Sequence, residues 1–255
     1  MEFVCLFLTL RTFKIMTMTG FSFGPAMIIG LVFMGLGMLV SFILKRKFEK
    51  YSKIPSQRGL SGKEIAEMML RDNGIYDVRV ISVEGQLTDH YNPMNKTVNL
   101  SHDVYNGRNA AAAAISAHEC GHAVQHATAY APLNWRSKMV PLQHASGMIL
   151  NVIMMATIFG GAFLHNLFPI DTLLWIVCIA YGAIALFSVV TLPVEFDASK
   201  RALAWIKDSG VSTHGEYEQS KDALKWAATT YVVAALGAIT TVIYYLSMLL
   251  GRNDD

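Results

Sequence analysis

His118-Glu119-Cys120-Gly121-His122 places two histidines four residues apart, with a carboxylate directly after the first. On a helix each residue turns about 100°, so positions i and i+4 lie roughly 40° apart on one face. Two imidazoles on one face can grip one zinc ion, and Glu119 then stands where it can reach a water activated by that ion. The chemistry such a pattern supports is metal-assisted hydrolysis, most often of peptide bonds. Cys120 falls about 200° from His118 and reads as a small packing residue. His126 extends the row by one turn. Gln125 and Thr128 occupy the positions where a longer metal-binding pattern carries glycine and histidine, so His126 reads as a neighbour of the site.

The motif needs a helix, and the residues before it supply one. Ala110 to Ala117 is a run of strong helix formers, and Asn106-Gly107-Arg108-Asn109 offers a turn and an N-cap. Gly121 and Ala123 are small enough for a second element to pack closely. Upstream, Ser61-Gly62-Lys63-Glu64 is a capping box that opens a helix through Arg71, which Asn73-Gly74 can end. Val78 to Val83 reads as a strand, Asn92 to Asn95 as a turn, and Lys96 to Ser101 as a second strand. That second strand is either an exposed edge to which an extended substrate adds or a plain structural hairpin strand.

The chain has 255 residues, 53% hydrophobic and 16% charged. Ordinary globular chains carry about 25% charged residues, so this balance points to a membrane. The apolar residues collect in four blocks without Asp, Glu, Lys or Arg, Pro25–Leu44, Ala145–Leu164, Thr172–Val194 and Ala227–Leu250. Each is long enough for a helix to cross a bilayer core of about 30 Å. Transmembrane helices are expected over 25–44, 145–165, 172–194 and 227–250. Residues 45–144 then carry the zinc motif, 195–226 form a second polar region, and 1–24 are an N-terminal segment. Met1 to Leu10 is apolar but short and lacks a basic region before it, so it does not read as a cleaved signal peptide. It suits an interfacial segment, or a translation start placed ahead of Met16 or Met18. The net charge of +2 comes without a basic stripe, so no nucleic-acid partner is expected. Cys5, Cys120 and Cys178 form no disulfide pattern.

Lys45, Arg46, Lys47, Lys50 and Lys53 follow the first block and mark its cytoplasmic end. The turn His165 to Asp171 has no Lys or Arg and belongs outside. Lys200, Arg201 and Lys207 follow the third block, inside again, and the acidic tail suits the outside. Trp226 and the Tyr244-Tyr245 pair fit the two membrane interfaces. The zinc motif is therefore expected in the cytoplasm, and a third ligand must come from the same side.

A catalytic zinc site usually has three protein ligands and one open position. After the third block the chain reads Leu192-Pro193-Val194-Glu195-Phe196-Asp197-Ala198-Ser199-Lys200-Arg201-Ala202. Pro193 can start a helix with Glu195 in its first turn. Glu195 is on the required side, either as a ligand or as a carboxylate favoured at a helix N-terminus.

With Lys50-Tyr51-Ser52-Lys53-Ile54-Pro55, Gly74-Ile75-Tyr76-Asp77-Val78, Leu87-Thr88-Asp89-His90-Tyr91, Val104-Tyr105-Asn106-Gly107, Tyr130-Ala131-Pro132-Leu133 and Leu192-Pro193-Val194-Glu195-Phe196, the chain resembles the neutral zinc metallopeptidases of bacterial membranes over most of its length. More distantly it is similar to the membrane gluzincins, such as the prenyl-protein endopeptidases and the heat-shock membrane proteases. The resemblance implies a third ligand from a glutamate in an E-x-x-x-D helix, which falls on Glu195, and residence in the bacterial plasma membrane. One departure stands out. Ser199 occupies the position where the gluzincins carry the aspartate that orients the first histidine. Asp197 is the nearest carboxylate, but i+2 faces elsewhere on a helix.

The reading is a mostly α, membrane-integral chain, with about four transmembrane helices and a small α+β zincin-like cytoplasmic domain carrying the motif. His118, His122 and Glu195 would hold one Zn2+ per chain, with Glu119 as general base in the hydrolysis of a peptide or membrane-protein substrate. The lipid bilayer is the other partner. Asp89, His90, Tyr91, Tyr130, Arg136 and Arg201 are candidates near the cleft, the tyrosines, arginines and His90 as stabilisers of an oxyanion. Two rivals are a site-2-type intramembrane protease and a non-enzymatic scaffold or regulator with a structural zinc. The scaffold would need a fourth ligand such as Asp197, His90 or His144.

Overall fold

A computed structural model describes residues 24–251. The apolar stretch Met1 to Leu10 and the last four residues of the tail lie outside them. Among the described residues there are seven helices and one small sheet. In chain order these are α1 (Gly24–Ser52), α2 (Gly62–Asp72), β1 (Arg79–Val83), β2 (His90–Asn92), β3 (Thr97–Ser101), α3 (His102–Asn106), α4 (Ala110–Ala127), α5 (Ala131–Leu167), α6 (Ile170–Asp208) and α7 (His214–Gly251). The chain divides into two compact units. One takes residues up to Met38, Lys138–Val189 and those from Val232 onward; the other takes Leu39–Ser137 and Val190–Tyr231.

The first unit is built from the apolar parts of α1, α5, α6 and α7, the four helices among the described residues long and apolar enough to cross a membrane. Leu174, Cys178, Tyr245 and Leu249 form its small buried cluster, and the Tyr181 and Tyr245 rings stack at 5.4 Å. Close helix contact is possible at Gly237, where a Cβ would lie 3.1 Å from the Phe33 ring. Elsewhere these helices turn large apolar side chains outward: Ile28, Val152, Ile179 and Ile243 are all at least 60% exposed. Water would not tolerate so much apolar surface, whereas lipid does.

The second unit has a continuous core under α4. Ile65, Ala66, Met69 and Leu70 from α2 pack with Val98 and Leu100 of β3 and with Ala113, Ala117, Cys120 and Val124 of α4. The alanine run lets α2 come close. A Cβ on Gly62 would lie 2.1 Å from the Val104 carbonyl and 2.5 Å from Ser116 Oγ, so only glycine fits there. Ser61 and Glu64 form the capping box in full, and Gly74 follows α2 at φ +71°. Asn109 caps α4 through its side chain, which accepts from the Ala112 N–H.

The sheet decides between the two readings of Lys96 to Ser101. Its order is β1-β3-β2, with β1 parallel and β2 antiparallel to β3. Thr97–Ser101, within the expected Lys96 to Ser101, therefore forms the central strand, buried along its whole length, and not an edge. β2 and β3 do form a hairpin, and the return of β1 to the other side of β3 closes the edge that local alternation left open. One sequence expectation is corrected at Pro193, which does not begin a helix. It lies inside α6. The lost backbone bond is outweighed by Val194, Ala198, Ala202 and Ile206, an i+4 row that is entirely buried.

Candidate metal centre

Every side chain of the site comes from the second unit. α4 presents His118, Glu119 and His122 from two successive turns, and the two imidazole rings meet edge to face at 4.8 Å between centroids. The continuation of α6 past Pro193 brings Glu195 against them. His118 Nε2 is 3.3 Å and His122 Nε2 3.6 Å from Glu195 Oε2. One ligand-type atom from each of these three residues lies within 4.8 Å of the others. The close approach of the helices rests on Gly121, where a Cβ would meet the Ala198 carbonyl oxygen at 2.6 Å.

The two oxygens of Glu195 have different surroundings. Oε1 receives Arg136 Nη1 from the start of α5 at 3.2 Å. Oε2 is fully buried and accepts no hydrogen bond among the described residues. A buried carboxylate oxygen without a donor is costly unless a cation meets it. Two imidazole nitrogens aimed at the same point make a nitrogen, nitrogen, oxygen donor set that suits zinc, with a coordination position to spare. The residues present fit the metal.

The outward nitrogens of both imidazoles are also held. Ser199 Oγ lies 3.2 Å from His118 Nδ1, so the position four after Glu195 does face the first histidine, with a hydroxyl in place of a carboxylate. Gln125 Oε1 lies 3.0 Å from His122 Nδ1. Asp197 takes neither role directly; it accepts from Gln125 Nε2 at 2.9 Å and from Arg201 Nε at 2.6 Å. Burial opposes ionisation of His122, but the Glu195 and Glu119 carboxylates outweigh it and raise its pKa above the ordinary imidazole value.

Glu119 is positioned from the sheet: its Oε2 accepts the Tyr91 backbone N–H at 2.9 Å. That bond leaves from the side of β2 not paired to β3. Asp89 accepts from both the backbone N–H and the hydroxyl of Ser101, fixing the turn into β2. Burial, only partly offset by those bonds, raises its carboxyl pKa above the usual range.

The other sequence candidates separate cleanly. His126 pairs with the Tyr91 hydroxyl at 2.9 Å, outside the three-residue cluster. Arg201 lies over the Tyr130 ring at 5.7 Å and binds Asp197. His90 is exposed, with Nδ1 2.8 Å from the Thr88 carbonyl. His144 belongs to the other unit. Arg136, expected near a developing oxyanion, sits on Glu195 instead. Gln125 was not singled out as functional. Its only sequence signal was its place three residues after His122, on the same side of α4.

Among the described residues, four helices of membrane-crossing length accompany a His118, His122 and Glu195 cluster that could hold a metal ion, the features of a membrane protein with a candidate metal centre. The sequence model of the family described as "Putative neutral zinc metallopeptidase" matches residues 26–250, and the chain belongs to that family. It is 36% identical over 222 residues to the "Putative membrane protease YugP" of Bacillus subtilis, an alignment that covers 87% of this chain and 95% of that protein. No solved structure matches it.

Proposed function

We propose that the protein is a membrane-integral zinc endopeptidase whose catalytic region, residues 45–144 and 195–226, faces the cytoplasm. The observation that carries this reading is the convergence of His118 Nε2, His122 Nε2 and Glu195 Oε2 on one buried point. Those three atoms would hold one zinc ion per chain. Bound there, the metal would acidify a water molecule and polarise the scissile carbonyl.

The remaining work falls to the chain's own residues. Glu119 lies on the helix face next to His118 and takes the proton of the attacking water, then delivers it to the leaving amine. The Tyr91 N–H holds the Glu119 carboxylate by Oε2, leaving Oε1 to exchange the proton. Arg136 restrains Glu195 through Oε1, which leaves Oε2 to the metal. The unpaired side of β2 runs beside Glu119 and offers backbone groups to an extended peptide.

The test is Glu119→Gln in the purified full chain. Zinc content should stay at one equivalent, while cleavage of an unfolded protein substrate such as casein falls by about 10²–10⁴. A Glu119→Gln enzyme that still cleaves casein would refute the general-base role. His122→Ala and Glu195→Gln should each weaken zinc binding sharply without abolishing it.

A further inference from the structure

Gln125 is completely buried, on the far side of His122 from the metal centre. The placement of its amide is dictated by its partners. Its nitrogen lies 2.7 Å from the Val194 carbonyl oxygen and 2.9 Å from Asp197 Oδ2. Both are acceptors, and the Asp197 oxygen already receives Arg201. Two acceptors can be met only by the NH2 end of the amide. The amide oxygen must then face His122 Nδ1, 3.0 Å away. A carbonyl oxygen cannot donate, so the nitrogen facing it must carry the proton.

We propose that Gln125, held by Asp197 and the Val194 carbonyl, is a positioning residue that keeps the proton of His122 on Nδ1 and its Nε2 lone pair free for the metal. The proposal rests on the zinc reading of His118, His122 and Glu195. Whenever the His122 ring is neutral, this contact presets its tautomer. His118 has no such constraint, because the Ser199 hydroxyl can donate as well as accept. The relay also ties the second imidazole to α6, the helix that supplies Glu195, so ligands from two helices are set by one amide. Groups that orient a metal-bound histidine commonly change metal affinity by about 10–100-fold.

The experiment measures zinc affinity on the full chain in detergent, by competition with a chromophoric chelator. Gln125→Met keeps the volume and removes every polar contact. It should weaken zinc binding by about 10–100-fold, while the zinc-free protein, at a melting temperature lowered by the lost hydrogen bonds, still unfolds cooperatively. In a His122→Ala background the same substitution should change zinc affinity by less than about twofold, because the group it positions is gone. Parent-like affinity in Gln125→Met would overturn the proposal, as would an equally large loss in the His122→Ala background. If Gln125→Met does not fold, Asp197→Ala takes its place with the same two comparisons. If His122→Ala alone binds zinc like the parent, the metal centre itself is misassigned, which separates the failure of that reading from the failure of the relay.

Discussion

The two histidines differ in what surrounds them, and the difference reaches the pH dependence of the site. His122 must be neutral to bind zinc, so protons compete with the metal at its ring. In the zinc-free chain the Glu195 and Glu119 carboxylates hold its pKa above the ordinary imidazole value despite burial. Proton competition therefore begins at a higher pH than it would at a free histidine. Apparent zinc affinity should begin to fall at a pH above the free imidazole value, by up to about tenfold per unit once His122 is protonated. Chelator competition across that range checks it; an affinity that stays flat until well below about 6.5, the free imidazole value, would contradict the electrostatics. Stability of the zinc-free chain should move the other way. A raised folded pKa adds stability that is complete below the unfolded value and is lost as pH rises through the folded one. At this scale the sequence displayed the types and spacing of His118, Glu119 and His122. It could not display Gln125, because an amide acquires a role only from the acceptors packed around it.

Helix approach decides whether those residues meet. Gly121 lies inside the motif, at a position where zinc chemistry asks for no particular residue, yet a Cβ there would press on the Ala198 carbonyl oxygen at 2.6 Å. The obstacle is backbone, so it cannot rotate aside. Gly121→Ala should push α6 away from α4, cost about 1–3 kcal/mol of stability, and weaken zinc binding by displacing Glu195. Gly147→Ala is the control: it lies inside α5 with nothing within 4 Å of the added methyl, and should leave zinc binding unchanged. Thermal unfolding and zinc titration of both variants distinguish specific packing from a general intolerance of alanine. Asn109→Ala removes the side-chain cap on α4 and should cost about 1 kcal/mol. The caps and most strand positions were legible because they depend on neighbours in sequence. The central position of β3 and the passage of α6 through Pro193 were not. The first depends on a strand returning to pair from the far side, the second on a buried row contributed by residues up to thirteen positions beyond the proline.

The whole chain joins a polar region to apolar helices, and the proposed side of the membrane for the chemistry rests on charge. Five basic residues from Lys45 to Lys53 follow the first apolar block, and Lys200, Arg201 and Lys207 follow the third, while His165 to Asp171 carries no Lys or Arg. An excess of Lys and Arg near span ends marks the cytoplasmic side, which supports the proposed placement of residues 45–144 and 195–226 there. Composition made the membrane legible because hydropathy is additive along the sequence; sidedness rests on a few charges and needs a direct test. Met94, 90% exposed in the turn between β2 and β3, is a suitable reporter on the catalytic side, and Phe168, 45% exposed between α5 and α6, on the opposite side. Cys120 and Cys178 are buried, so replacing Cys5 by serine leaves a quiet background for single thiols. In intact cells a membrane-impermeant maleimide should label Phe168→Cys and spare Met94→Cys, and permeabilisation should make Met94→Cys reactive. Labelling of Met94→Cys in intact cells would reverse the orientation and place the peptidase chemistry outside, where its substrates would be a different set of proteins.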